Sequence, residues 1–478
     1  MDGAIATDSS SHRKHATVAK MEKLLGPSKP IFVSVAGVAL FMLLWSFLPS
    51  TSSPNMFEGA LGKDGGATKH CPTVSDIQGL NLTYDPADLT FYDDPTLSYE
   101  IGNPIKDWDG KRREWLKHHP SFAMGAKERV FMVTGSQPKP CKDPIGDHLN
   151  LRFFKNKVDY CRIHGYDIFY NNAFLHPKMT SWWTKLPTLR ATMLAHPEAE
   201  WIFWVDSDAV FTDMDFKLPL EKYKNHNLVL HGYYDNIHVH RNWGGINAGV
   251  FFIRNCQWSM ELLEAWARMG PLTPNFAKWG QILSSTLTGR TEPESDDQSA
   301  LVYLILEEKE KFGNKIYIEN EYLLSAYWVE VLEKLDNISN NYARIEKAVA
   351  ELQRRHAEKM SEHYAPVMRV ALDNKIGGDG GEKRPFVTHF IVCRPCSGVP
   401  GFSKEECLNG MEKALNFADY QVLRNYGFAR LDLMNTSSIY PLPVSVSSYN
   451  KKKQKKQKVK KKQKKQKVPL PGFAHVRA

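Results

Sequence analysis

Seven cysteines are too few to staple a chain of 478 residues into a disulfide scaffold. A single C-x-x-C occurs, Cys393-Arg394-Pro395-Cys396. Without a second such pair it makes no zinc ribbon, and Pro395 suits a tight disulfide-linked loop. Structural disulfides of open pairing are the expectation. No internal repeat is evident. Acids are missing from Lys451 to Lys467, where twelve lysines stand; taking these from the formal net charge of +9 leaves −3 for the remainder. The folded body is therefore mildly acidic, and neither a polyanion-binding surface nor a nucleic-acid partner is expected. The lysine-rich tail, residues 431–478, has no means of building a core and is expected to be disordered. What the chain does have is 42% hydrophobic and 12% aromatic residues, which excludes a mainly disordered protein.

One uncharged apolar stretch, residues 31–48, reaches the length that spans a bilayer as a helix. Arg13, Lys14, Lys20, Lys23 and Lys29 precede it, and the next charge after it is Glu58. The positive-inside bias then leaves residues 1–30 in the cytosol and sends the rest into the lumen. A cleaved signal peptide is the rival, but its apolar region is usually shorter and its head less extended. The chain is thus expected to be a single-pass type II membrane protein. The acceptor triplets at Asn81, Asn337 and Asn435 agree with a secretory lumen but add little weight.

Residues 49–80 read as a flexible stem, and residues 81–430 as one luminal catalytic domain. Strand patterns occur at Arg129–Gly135, Asp167–Tyr170, Trp201–Val205, Asn227–His231, Gly249–Ile253 and Pro385–Phe390. Helical patterns occur at Leu149–His164, Lys185–His196 and Met260–Arg268, with a charged helix between Tyr342 and Tyr364. Alternation of strand and helix predicts an α/β domain on a parallel sheet, with ligands beyond the carboxyl ends of the strands.

Asp206-Ser207-Asp208 follows the apolar run Trp201–Val205. Two carboxylates two residues apart at a strand end can reach one divalent cation, and hard oxygen ligands favour Mn²⁺ or Mg²⁺. Such an ion stabilises a departing diphosphate. A third ligand must come from another strand, and His389 in Thr388-His389-Phe390 is the candidate, with Arg394 close behind it for diphosphate oxygens. Asp213 reads as a solvated turn residue. Asp296, Asp297 and Gln298 form a second acidic cluster, suited to sugar hydroxyls or, for Asp296, to capping a helix. Small residues in Trp243-Gly244-Gly245-Ile246-Asn247-Ala248-Gly249 allow the backbone to approach a ligand, or else make a turn before a strand. Trp182, Trp183 and Tyr233 are candidates for a sugar-stacking acceptor groove. No nucleophile stands out.

From Thr90 to Phe428 the chain resembles the plant family of xyloglucan 6-xylosyltransferases and galactomannan galactosyltransferases. Val133-Thr134-Gly135-Ser136, Asp143-Pro144-Ile145-Gly146-Asp147-His148, Lys155-Asn156-Lys157-Val158-Asp159-Tyr160 and Ala195-His196-Pro197-Glu198 carry the likeness. So do Trp204-Val205-Asp206-Ser207-Asp208-Ala209, Asn247-Ala248-Gly249-Val250-Phe251, Arg254-Asn255-Cys256-Gln257-Trp258-Ser259 and Ser295-Asp296-Asp297-Gln298. Arg354-Arg355-His356-Ala357-Glu358-Lys359, Thr388-His389-Phe390 and Asn416-Phe417-Ala418-Asp419 complete it.

The resemblance implies a GT-A fold (Rossmann-like, nucleotide-sugar-binding) behind one transmembrane helix, in the Golgi membrane. It implies UDP-xylose or UDP-galactose as donor, Mn²⁺ as cofactor, and a β-1,4-glucan or β-1,4-mannan acceptor. The linkage would be α-1,6, made with retention. Asp206, Asp208 and His389 would hold the metal; Ser207, Asn247, Ala248, Gly249 and Arg394 would meet the donor; Asp296, Asp297 and Gln298 would line its sugar. Arg394 stands where xylosyl members carry a lysine. Homo- or hetero-oligomers with related transferases are compatible with it. Two departures stand out: Val392 where a glycine is expected, and Gly244 where a threonine is usual. Val392 is the support for an alternative, a non-catalytic subunit of a polysaccharide-synthesising complex. The segment Thr90-Phe91-Tyr92-Asp93-Asp94-Pro95 leans toward the galactosyl branch.

Overall fold

Five consecutive apolar residues, Trp201–Val205, form strand β3, and every one of them is buried. That pattern is what a central strand covered on both faces requires. Trp201, Phe203 and Val205 join one core cluster, whereas Ile202 and Trp204 join another on the opposite face. The computed structural model describes residue 94 and residues 97–442, apart from 124–128, 354–360, 377–381, 394–395, 397–402 and 436. The expected cytosolic head, membrane anchor, stem and lysine run lie outside the described residues. No helix among the described residues is long and apolar enough to cross a membrane.

The remaining strands of the main sheet are β1 (Val130–Gly135), β2 (Asp167–Asn171), β5 (Leu228–Gly232), β6 (Ile246–Arg254) and β7 (Ile316–Glu319), in the order β2-β1-β3-β6-β5-β7. β1, β2 and β3 are mutually parallel, and β5 is parallel to β7. β6 runs antiparallel to both β3 and β5. The sheet is therefore mixed, not parallel as the strand–helix alternation suggested. The connection from β5 into β6 carries a five-residue helix, Tyr234–His238, and a 3₁₀ turn, Trp243–Gly245, and neither is the long crossover helix usual between parallel neighbours.

A second, three-stranded sheet has the order β4-β9-β8, from β4 (Ala209–Phe211), β8 (Ala326–Tyr327) and β9 (Val387–His389). Helices α3 (Lys185–Ala195), α4 (Gln257–Ala267) and α6 (Asp297–Glu307) cover one face of the main sheet through Leu189, Leu263 and Leu301. The other face meets the small sheet, α2 (Pro144–His164) and α9 (Lys404–Asn425), through Phe153, Tyr160, Phe211, Val387 and Phe417. Helix α1 (Trp108–His118) precedes β1, and α5 (Phe276–Thr286) lies between α4 and α6.

α2 begins five residues before the expected Leu149. Asp143 caps it by accepting from the Ile145 N–H, and Pro144 occupies the first turn, where its missing N–H costs nothing. The single charged helix expected between Tyr342 and Tyr364 is instead α7 (Leu335–Ala348), ended at Val349, with α8 (Ser361–Asp373) beyond it. Strands β10 (Phe428–Arg430) and β11 (Ile439–Pro441) pair antiparallel, which carries the ordered chain past the expected boundary at 430.

Cys393 and Cys396 do not close a tight loop on each other. Cys393 is bonded to Cys407 at the head of α9, and Cys396 to Cys141 just before α2. Cys161 and Cys256 are free.

Candidate active site

The sheet register brings the acidic pair and the histidine together. Asp206-Ser207-Asp208 is the turn between β3 and β4, and Ala209 pairs with His389 across β4 and β9. The Phe390 N–H donates to the Asp208 carbonyl at 3.0 Å, and the Asp206 N–H to the Gly249 carbonyl at 2.8 Å. His389 Nε2 lies 3.2 Å from an Asp208 carboxylate oxygen and 3.8 Å from one of Asp206. One ligand atom from each of the three residues falls within 4.8 Å of the others. Ser325 Oγ sits 3.3 Å from His389 Nδ1, which fixes the ring so that Nε2 faces the carboxylates.

Each group is held from outside the triad. The Trp204 indole N–H donates to Asp206 at 2.6 Å. From α2, buried Lys157 donates to the Ser207 and Ala209 carbonyls at 3.1 and 2.8 Å. Its neighbour Asn156 exchanges two hydrogen bonds with the backbone of Phe211. The Asn156-Lys157 pair therefore clamps the turn that presents both acids. Burial pushes the Lys157 pKa down to about 7, against the pull of Asp208 and Asp206. Burial alone would raise the Asp208 carboxyl, but His389, hydrogen bonding and Lys157 outweigh it and hold Asp208 below the usual aspartate range.

Gly249 forms the floor. A Cβ added there would stand 2.3 Å from His389 Cε1 and 2.6 Å from an Asp206 oxygen. The space between the ligand atoms exists because this residue has no side chain. Two carboxylates and an imidazole around such a gap make a suitable donor set for a hard divalent cation. The second three-residue grouping, Cys141, Asp147 and Cys396, offers no thiolate because its two cysteines are bonded to each other.

Asp296 and Asp297 diverge. Asp296 caps α6, accepting from the Ser299 N–H and hydroxyl at 2.7 and 2.6 Å, and pairs with Arg290 at 3.1 Å. Asp297 turns inward to Lys185 Nζ at 2.5 Å, and Lys185 also lies 3.8 Å from Asp206. Burial raises the Asp297 carboxyl to about 6, with Lys185 opposing it. Burial works against the Lys185 charge, yet Asp206 and Asp297 prevail and raise its pKa. Lys185 also donates to the Ala248 carbonyl at 2.8 Å. Sequence reasoning missed this lysine, since nothing local distinguishes it from a helix-surface residue. Gln298 accepts from the Ala248 N–H and donates to the Trp243 carbonyl, so it holds the Trp243–Gly249 segment in place.

Asp213 is not a solvated turn residue. It stands 3.7 Å from the guanidinium of Arg384, which also pairs with Asp215 at 3.0 Å. Trp183 is buried against Gly270 and is no acceptor contact, whereas Trp182 and Tyr233 are exposed. Arg394 lies outside the described residues. Val392, two residues before it, has φ 76°, the left-handed region that a β-branched side chain resists. The expectation of glycine there has a physical ground.

Residues 126–400 match the galactosyl transferase GMA12/MNN10 family. The chain is 51% identical over 447 residues to a putative glycosyltransferase 7 of Arabidopsis thaliana, spanning 91% of this chain and 97% of that one. It is 55% identical over 367 residues to galactomannan galactosyltransferase 1 of Cyamopsis tetragonoloba, spanning 76% of this chain and 82% of that one. Among solved structures, a glycosyltransferase involved in glycosylation of the major capsid of PBCV-1 aligns with TM-score 0.31 and 14% identity, over 59% of this chain and 99% of that one. A likeness of that size decides nothing about the fold.

Proposed function

The chain belongs to the galactosyl transferase GMA12/MNN10 family and is a glycosyltransferase; from that premise we propose that it transfers galactose from UDP-galactose onto a β-1,4-linked mannan in the Golgi lumen. The linkage in this reading is α-1,6, with retention at the anomeric carbon, on a GT-A fold. The observation that carries it is the convergence of Asp206, Asp208 and His389 at the end of β3. Galactose and mannan are favoured over xylose and glucan by the likeness to the Cyamopsis enzyme. The lumen is supported by the basic-flanked apolar run 31–48 and by two disulfides, which persist in an oxidising compartment.

Mn²⁺ fits the donor set, and Asp206, Asp208 and His389 would hold it over Gly249. Bound there, it would supply positive charge toward the departing diphosphate. The chain's own groups do the rest. Lys185 keeps Asp297 ionised and oriented, Gln298 fixes the Asn247-Ala248-Gly249 backbone, and Arg394 supplies a further cation for diphosphate oxygens. The acceptor hydroxyl forms the new glycosidic bond on the face from which UDP leaves, and its proton passes to the leaving phosphate oxygen. No protein nucleophile is needed in this reading.

The test is to supply the detergent-solubilised full-length chain with UDP-galactose or UDP-xylose and with manno- or cello-oligosaccharides. An α-1,6-galactosylated manno-oligosaccharide is expected. Xylosylated cello-oligosaccharide would overturn the donor and acceptor assignment. Absence of both transfer and donor hydrolysis would favour the non-catalytic subunit.

A further inference from the structure

The direction of the strands places a second group of residues on the edge that carries the acidic pair. β6 opposes both β3 and β5, so β3 and β5 run the same way and end on the same edge. Asp206 follows β3 there; His231 and Gly232 close β5 two strands away, and Tyr233 follows directly. At about 4.8 Å per strand the separation across the sheet is roughly 10 Å, the span of a short oligosaccharide. The parallel β1-β2-β3 half is the side on which α/β sheets bind nucleotides. The β5 side is left for whatever receives the sugar.

His231 pairs with Asn247 on β6 and with Glu319 on β7, so the three share one face. Val229, two residues earlier, packs in the cluster that includes Val387 and Phe211, so this face looks toward the small sheet that bears His389. His231 Nδ1 lies 3.1 Å from the Glu319 carbonyl oxygen. A carbonyl only accepts, so Nδ1 carries the hydrogen and Nε2 keeps a lone pair. No protein group among the described residues hydrogen-bonds Nε2. Burial lowers the pKa of the ring, against that carbonyl's opposing pull, which favours the neutral form. The Tyr233 ring, half exposed, meets His231 edge-on with centroids 5.6 Å apart.

We propose that His231 and Tyr233 form a subsite for the acceptor polysaccharide: a pyranose ring stacks on the open face of Tyr233 while one of its hydroxyls donates to Nε2 of His231. The subsite rests on the transferase reading above and specifies how that reaction recognises its acceptor. Aromatic faces suit the apolar face of a pyranose, and a fixed lone pair selects a hydroxyl at one position of the ring. The bland alternative is that His231 only pins β7 to β5 through Glu319.

Two measurements on the full-length chain in detergent separate these. Direct binding of mannohexaose, followed by intrinsic fluorescence without donor, should weaken by about five- to tenfold in His231→Ala and in Tyr233→Ala. Tyr233→Phe, which keeps the ring, should bind like the wild type. In the transfer assay the acceptor KM should rise by the same factor in the two alanine variants, with the donor KM within twofold. Unchanged mannohexaose affinity in His231→Ala and Tyr233→Ala overturns the subsite, as does weakening that appears only where the unfolding temperature also drops. Wild-type binding that depends on His231, with no transfer to any acceptor, keeps the subsite and refutes the catalytic reading instead.

Discussion

Replacing Gly249 by alanine should remove most of the turnover and leave the chain folded. The added Cβ would lie 2.3 Å from His389 Cε1 and 2.6 Å from an Asp206 carboxylate oxygen. Ordinary carbon contacts are about 3.5 Å or more, so roughly 1 Å must be opened between groups that have little room to retreat. β9 is fixed between β4 and β8, the His389 ring is held by Ser325, and Asp206 is tied to Trp204. Metal ligands tolerate displacements of about 0.2 Å, and a misplacement of about 1 Å at a reacting centre costs on the order of 10²-fold in rate. Overpacking of this kind costs about 1–3 kcal/mol, against a typical total stability of about 5–15 kcal/mol, so folding survives. The assay is initial rate of sugar transfer at saturating donor and acceptor over a range of Mn²⁺, beside a thermal unfolding curve. Gly102→Ala, where a Cβ would meet nothing within 4 Å, is the control. Turnover of Gly249→Ala within twofold of wild type, at the same Mn²⁺ dependence, would refute the assignment of this cluster as the site.

Two further outcomes follow from buried charge and from backbone strain. Lys185→Met leaves Asp297 without its counter-ion in a buried position, which should cost about 3–5 kcal/mol in denaturant unfolding; a loss under about 1 kcal/mol would show that the pair carries no such weight. Val392→Gly releases a valine from φ 76° and should stabilise the chain by about 1 kcal/mol, a rise of a degree or two in unfolding temperature. A lower unfolding temperature in that variant would mean that the valine side chain contributes more than its backbone costs.

Strand β3 and the acidic turn after it were legible because a doubly covered strand must be apolar throughout, and its polar end then stands out. The place of His389 beside that turn was legible for the related reason that it closes a short apolar strand. What the chain could not show was direction: nothing in the expected strand Gly249–Ile253 records that β6 opposes its neighbours, since either direction buries the same side chains. Lys185 was hidden because its meaning comes from Asp297 and Asp206, both remote in sequence. The long helix α9 was missed even though its start is marked, as Ser403 and Glu406 form a reciprocal capping box. The charged segment after Tyr342 reads as one helix by periodicity, whereas the backbone turns extended at Val349, whose side chain packs against the core. The cysteines gave no pairing, and Cys393 and Cys396 turned out to reach away from each other to α9 and to the segment before α2.

The central claim, a metal-dependent transfer centred on Asp206, Asp208 and His389, is tested most directly by titrating Mn²⁺ into chelator-treated protein. Sugar release from UDP-galactose is followed for wild type, Asp206→Ala/Asp208→Ala and His389→Ala. The wild type should be inactive without the ion and recover with it. The double variant should stay inactive at every concentration, and His389→Ala should need at least about tenfold more Mn²⁺ for half its lowered maximal rate. Full activity of the double variant in the presence of chelator, or an unchanged Mn²⁺ dependence in His389→Ala, would contradict the account.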